Sequence, residues 1–163
     1  PTRRSSDLAG VWAPIVEGAA AGARPDGDPE VERLRVRGGF VRYGVDVDDD
    51  HFPFETPLAR FLDYGKGCYV GQEPVFRVHA QGQSARVLRG LRVDGDGAVA
   101  AGAPVKHAAR DKAGTVTSSV VSPRLGPIAL AYLHRTVWEV GGVVEVEGRR
   151  ATVHELPWAG VEW

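Results

Sequence analysis

Apolar residues change their spacing near Gly82. Before it they recur every three or four positions, as Leu8, Val11, Trp12, Ile15 and Ala19 do, which puts them on one face of a helix. Gly22, Pro25, Gly27 and Pro29 then break the pattern into a loop. Asp28 is placed to cap a second short helix carrying Val31, Leu34 and Val36. Beyond Gly82 the period falls to two. Val87, Leu91 and Val93; Val116 and Val120; Ile128, Leu130 and Tyr132; Val143, Val144 and Val146; and Ala151, Val153 and Leu156 form short runs separated by Gly, Pro or Asp. Such runs predict the strands of a small antiparallel barrel or sandwich, with Gly95-Asp96-Gly97 and Gly141-Gly142 as hairpin turns. Asp46, Asp48, Asp49 and Asp50 read as an exposed acidic turn, because a calcium loop needs a glycine and a terminal glutamate at offsets this run lacks. Residues 72–79 read as a helical turn whose Pro74 is confined to the first turn.

Composition narrows the class of protein. The chain has 163 residues, 43% hydrophobic and 25% charged, enough for one core or one core plus part of another. A formal net charge of −1 argues against direct nucleic-acid binding, which needs a basic excess. Two arginine sets, Arg33, Arg35 and Arg37 and then Arg86, Arg89 and Arg92, read as solvated charge. No apolar run approaches the roughly 20 residues that cross a bilayer, and no signal segment is evident, so no membrane association and a cytoplasmic location are expected. The single cysteine precludes an internal disulfide. Residues 1–8, Pro-Thr-Arg-Arg-Ser-Ser-Asp-Leu, read like a translated sequencing adapter in a chain with no methionine, and are set aside as a scar; the remainder is then expected to be a fragment.

Chemistry concentrates at Lys66-Gly67-Cys68-Tyr69-Val70-Gly71-Gln72-Glu73. A thiol reacts as the thiolate, and an ammonium two positions away favours that form, so Cys68 is a candidate reactive group and Lys66 its activator. Gly67 and Gly71 allow a flat ligand close approach, while Gln72 and Glu73 supply an amide and a carboxylate to orient it. The alternative is a cysteine buried as a small apolar residue. No metal site is expected from this chain alone. His51, His79, His107, His134 and His154 show no paired spacing, and one thiol cannot ligate an iron–sulfur cluster by itself.

The same eight residues resemble the signature of the YgfZ family of folate-binding proteins, relatives of the T-protein, or aminomethyltransferase, of the glycine cleavage system. Leu34 to Phe40, Tyr43-Gly44-Val45-Asp46 and Pro53-Phe54-Glu55-Thr56 are similar to segments that precede the signature. Gly114 to Ser118, Ser122 to Gly126 and Ile128 to Tyr132 resemble the family's C-terminal barrel. The resemblance implies an α+β fold: residues 9–82 as the end of a folate-binding domain, then 83–163 as an antiparallel β-barrel of about six strands.

It also implies tetrahydrofolate or a one-carbon derivative as ligand, and a role in assembling or repairing iron–sulfur clusters in client enzymes, among them tRNA-modifying ones. Lys66 and Cys68 carry the activity in that picture. Gly67, Tyr69, Gly71, Gln72 and Glu73, with Tyr43 and Arg77, form the loop that meets folate. Two residues depart from the pattern: Arg37 stands where relatives often have an acidic residue, and Val31 where some have tryptophan. The rival is a tetrahydrofolate-dependent aminomethyltransferase, whose members usually show Lys-Gly-Asp-Phe and a later arginine here. A non-catalytic interaction module is the third reading.

Overall fold

The computed structural model describes residues 29–63, 65, 67, 73 and 84–158. The chain divides into two compact units, residues 1–32 and 33–163. Of the first unit, residues 29–32 are described, where they open helix α1, Pro29–Gly38.

Helix α1 begins with Glu30 and Glu32 and ends with Arg35 and Arg37, a sequence of signs that suits the helix dipole. Gly39 stops it. Its φ of 68° is left-handed, and the bonds Gly39 N to Val36 O (3.1 Å) and Phe40 N to Arg35 O (3.0 Å) close the last turn as a Schellman motif. Of the apolar positions expected to anchor this helix, Val36 is fully buried, whereas Val31 and Leu34 are exposed. The expected cap Asp28 and the earlier helix at 8–19 lie outside the described residues. After an irregular stretch come two short 3-10 turns, Pro53–Glu55 and Pro57–Phe61, each opened by a proline.

Six strands follow: β1 Arg86–Val93, β2 Pro104–His107, β3 Arg110–Ser122, β4 Gly126–His134, β5 Val143–Val146 and β6 Arg149–His154. They close into an antiparallel barrel in the order β1-β4-β3-β2-β5-β6. The expected barrel is therefore present. Its hairpins are not at the expected glycines, because β1 and β2 are not neighbours, nor are β4 and β5. Gly95, Gly97 and Gly141 do turn the chain with positive φ, but in crossing loops. In the β5–β6 hairpin Glu147 (φ 52°) and Gly148 (φ 72°) both adopt the left-handed conformation a two-residue type I′ turn needs.

Strand β4 carries the packing. From Pro127 to Leu133 every residue is buried, so both faces of the strand are covered. Ala129, Ala131 and Leu133 join Leu91, Val105, Val116 and Val153 inside the barrel. Ile128, Leu130 and Tyr132 face outward and pack with Val36 of α1, Leu156 and Trp158. The described residues 39–61 thus form a strap over one flank of the barrel, and they bring polar groups to that flank.

Candidate functional site

Six of the nine residues singled out in the sequence, Lys66, Cys68, Tyr69, Gly71, Gln72 and Arg77, lie outside the described residues. Gly67 and Glu73 are exposed, and no described atom lies within 4 Å of where a Cβ on Gly67 would fall. Tyr43 is exposed on the strap, and its hydroxyl donates to Asp49 Oδ1 at 2.7 Å. That bond, and the Asp49 charge, hold its phenol above the ordinary 10.0.

The two ends of the strap are fixed by carboxylates. Asp46 does not lie in an exposed turn with its neighbours; it is 1% exposed. Arg35 Nη1 is bonded to Asp46 Oδ2, and the Ser118 and Thr117 hydroxyls donate to Oδ1 at 2.7 and 2.5 Å. Arg42 N adds a bond to Oδ2 at 3.0 Å, and Arg35 Nη2 donates to Ser118 Oγ at 2.6 Å. Thr117 and Ser118 can both reach Asp46 because the β3–β4 register slips between Val116 and Ser118, a bulge that leaves Thr117 as the extra residue. Arg35 is correspondingly engaged rather than solvated, since a buried carboxylate must be paired.

At the other end Glu55, 6% exposed, accepts from Arg86 Nε on β1 at 3.3 Å and from Phe52 N at 3.2 Å. Arg86 Nη2 also donates to the Asp50 carbonyl at 2.8 Å. Neighbouring Thr56 accepts from Leu58 N at 3.1 Å and donates to Pro53 O at 2.9 Å, capping the second 3-10 turn. The three arginines of β1 thus form no common patch: Arg86 serves this clasp, Arg89 Nε donates to the Trp138 carbonyl at 3.2 Å, and Arg92 is exposed.

Beside the clasp is a cavity of about 350 Å³ lined by His51, Arg86, Lys112, Thr117, Tyr132 and His134, among others. The His51 and Tyr132 rings meet with centroids 4.5 Å apart, and the Arg86 guanidinium lies 5.3 Å from the Tyr132 ring. The Tyr132 hydroxyl is buried and makes no hydrogen bond among the described residues. Burial, and then the Glu55 charge, push this phenol well above its usual range. Sequence reading placed Tyr132 in the core and Arg86 on the surface; a buried phenol in an outward-facing β4 position beside a strand-opening arginine was the signal available.

The described residues contain no group of three or more metal-ligating side chains. At Arg37, which stands where relatives often have an acidic residue, the guanidinium offers only donors, and its Nε is buried without a partner among the described residues.

Residues 86–158 match the family model of the glycine cleavage T-protein C-terminal barrel domain. The chain is 35% identical over 151 residues to the aminomethyltransferase of Saccharopolyspora erythraea, covering 91% of this chain and 41% of that protein. It is 30% identical over 158 residues to the aminomethyltransferase of Herpetosiphon aurantiacus, covering 94% of this chain and 43% of the relative. The crystal structure of glycine cleavage system aminomethyltransferase T from Bartonella henselae superimposes with a TM-score of 0.70 at 25% identity, over 77% of this chain and 37% of that one. The chain is thus glycine-cleavage-T-protein-like, with a six-stranded barrel of that protein's C-terminal type. It spans about two-fifths of the length of the curated relatives it matches.

Proposed function

We propose that this chain is the C-terminal portion of a cytoplasmic, tetrahydrofolate-dependent aminomethyltransferase-like protein. The observation that carries this reading is its 35% identity across 91% of its length to an aminomethyltransferase, supported by the TM-score of 0.70 to a second one. In this reading the barrel and strap are a platform. In the sequence the signature at 66–73 lies between the 3-10 turn ending at Phe61 and the strand starting at Arg86, and Glu55 and Arg86, one on either side of it in the sequence, are paired. Tetrahydrofolate, when bound, supplies the acceptor for a one-carbon unit. Lys66 and Glu73 with Gln72 are the chain's own groups for holding it.

A second reading is favoured by one observation, the Cys68-Tyr69 and Gln72-Glu73 pairs where transferases usually show Asp-Phe and an arginine. It makes the whole protein a folate-dependent factor of the YgfZ type that maintains iron–sulfur clusters in client enzymes, with Cys68 as the reactive thiol. One experiment separates the two. The complete protein is assayed for glycine-cleavage turnover and titrated with tetrahydrofolate by tryptophan fluorescence, beside its Cys68→Ala variant in a complementation test. Turnover that survives Cys68→Ala supports the transferase. Fluorescence quenching without turnover, with complementation lost in Cys68→Ala, supports the accessory factor. Silence in all three assays rejects both.

A further inference from the structure

Aspartate followed by glycine occurs in the sequence at 26–27, 94–95 and 96–97, and the chain has no asparagine, so isoaspartate in it can arise from aspartate alone. The first pair lies outside the described residues; the other two share the exposed loop between β1 and β2. An Asp-Gly bond is chemically labile. The amide nitrogen of the glycine can attack the preceding side-chain carboxyl, and glycine, lacking a Cβ, hinders that attack least. For the nitrogen to reach the carboxyl, the peptide plane that joins the two residues must turn.

The fold holds one of these planes and leaves the other free. The Asp94 carbonyl, in the plane shared with Gly95, accepts from Arg149 Nε at 2.7 Å, and Asp94 N donates to the Arg150 carbonyl at 2.8 Å. Gly95 is covered as well: a Cβ there would meet Arg149 Nε at 3.6 Å and Nη2 at 3.7 Å. The plane between Asp96 and Gly97 has no such hold. Its carbonyl and its N–H make no hydrogen bond among the described residues, nor does the exposed Asp96 carboxylate, and nothing lies within 4 Å of a Cβ built on Gly97. One plane further on, the Gly97 carbonyl accepts from Arg149 Nη1 at 3.1 Å. Arg149 thus grips the loop on either side of Asp96 and spares the bond between.

We propose that Asp96 is a site of spontaneous isomerisation to isoaspartate. Gly97 N bonds to the carboxyl carbon of Asp96, and the displaced oxygen leaves with two protons as water, which closes a cyclic imide. Water then adds back at either ring carbonyl. Cleavage between the nitrogen and the original backbone carbon leaves the chain running through Cβ and the side-chain carbon, as isoaspartate; cleavage of the new bond restores aspartate. One water is lost and one regained, so the mass is unchanged and no other reactant is consumed. Isoaspartate adds one backbone atom between the two carbonyls that Arg149 holds. The site lies on a barrel loop and does not depend on the function proposed above.

The test incubates the full chain at neutral pH and physiological temperature, folded and in guanidinium chloride. Tryptic peptide 93–106 carries both aspartates, and electron-transfer fragmentation marks isoaspartate at each position. In the folded chain isoaspartate is expected about tenfold faster at Asp96 than at Asp94, the order of restraint that a hydrogen bond from a charged donor imposes. In denaturant, which removes the hold, the two rates should agree within about twofold. Arg149→Ala should raise the Asp94 rate toward that of Asp96, and Asp96→Glu should abolish the signal at 96 while leaving the one at 94. Equal rates at the two positions in the folded chain, a bias toward Asp96 that persists in denaturant, or an Asp94 rate unmoved in folded Arg149→Ala would each overturn the proposal. Should Arg149→Ala fail to fold, the comparison of folded and denatured unaltered chain decides alone.

Discussion

Glu55 and Arg86 stand 31 positions apart and meet through two contacts of 3.3 Å, so that one ion pair spans the whole signature from strap to barrel. Loop closure is where such a pair acts: it holds positions 55 and 86 together across the intervening sequence. Glu55→Gln keeps the shape and removes the charge. Because Glu55 is nearly buried while Arg86 is 40% exposed, the expected loss lies at about 1–3 kcal/mol in urea unfolding, typical of a charged hydrogen bond. A double-mutant cycle with Arg86→Gln should show coupling; additivity would mean that the pair is an idle contact.

Asp46 should matter more. Its carboxylate is enclosed by Arg35, Arg42 N, Thr117 and Ser118, and removing it strands a guanidinium and two hydroxyls. Asp46→Ala is expected to cost about 3–5 kcal/mol, as for one partner of a buried pair. Asp49→Ala, on the exposed part of the same acidic run, should change stability by less than about 0.5 kcal/mol. Equal effects at the two positions would contradict the buried role of Asp46.

Two glycines on the barrel rank in a definite order. A Cβ on Gly114 would come within 2.1 Å of the Tyr132 carbonyl oxygen, backbone that cannot yield without opening the β3–β4 ladder. On Gly90 it would come 2.7 Å from Trp158 Cζ2, a side chain that can shift. Gly90→Ala is expected to cost roughly 1–3 kcal/mol with a changed Trp158 emission, and Gly114→Ala clearly more. Thermal melts of the two variants decide the order.

Stability should also fall with acid through the His154 ring. Desolvation by burial, and then Arg92, hold its pKa below the ordinary 6.5, while its ring lies 4.9 Å from Trp158. Below pH 6.5 the unfolded chain takes up a proton that the folded chain resists, so the unfolded state gains; above pH 6.5 both are neutral and nothing is lost. Melting temperature should therefore decline as pH drops below about 6.5. His154→Gln should flatten that decline, and an unchanged slope would remove His154 from the explanation.

The barrel was legible because alternation survives wherever one face is wet. It was incomplete where that condition fails. Strand β2 contributes only Val105 as a buried apolar side chain in four residues, so no run announced it. In β4 the pattern marked Ile128, Leu130 and Tyr132 as facing a core, yet Ala129, Ala131 and Leu133 face another, and only the covering strap explains both. Asp46 was missed for a related reason. A run of aspartates reads as solvated because unpaired charge avoids burial, and its partners lie 71 and 72 residues away in Thr117 and Ser118. Thr117 and Ser118, the first two of three adjacent hydroxyl residues in the middle of β3, were the visible hint. The signature itself was legible as sequence, and its chemistry rests on residues outside the described part of the chain.

The double coverage of β4 decides where a gene for this barrel can be trimmed. A clone that starts at Arg86, where the family match starts, would discard Val36, Asp46 and Glu55 together, leaving a greasy flank and several bereft polar groups on an otherwise well-folded cylinder. Starting at Arg33 keeps the cover on, and gives the smallest piece with reason to stay in solution.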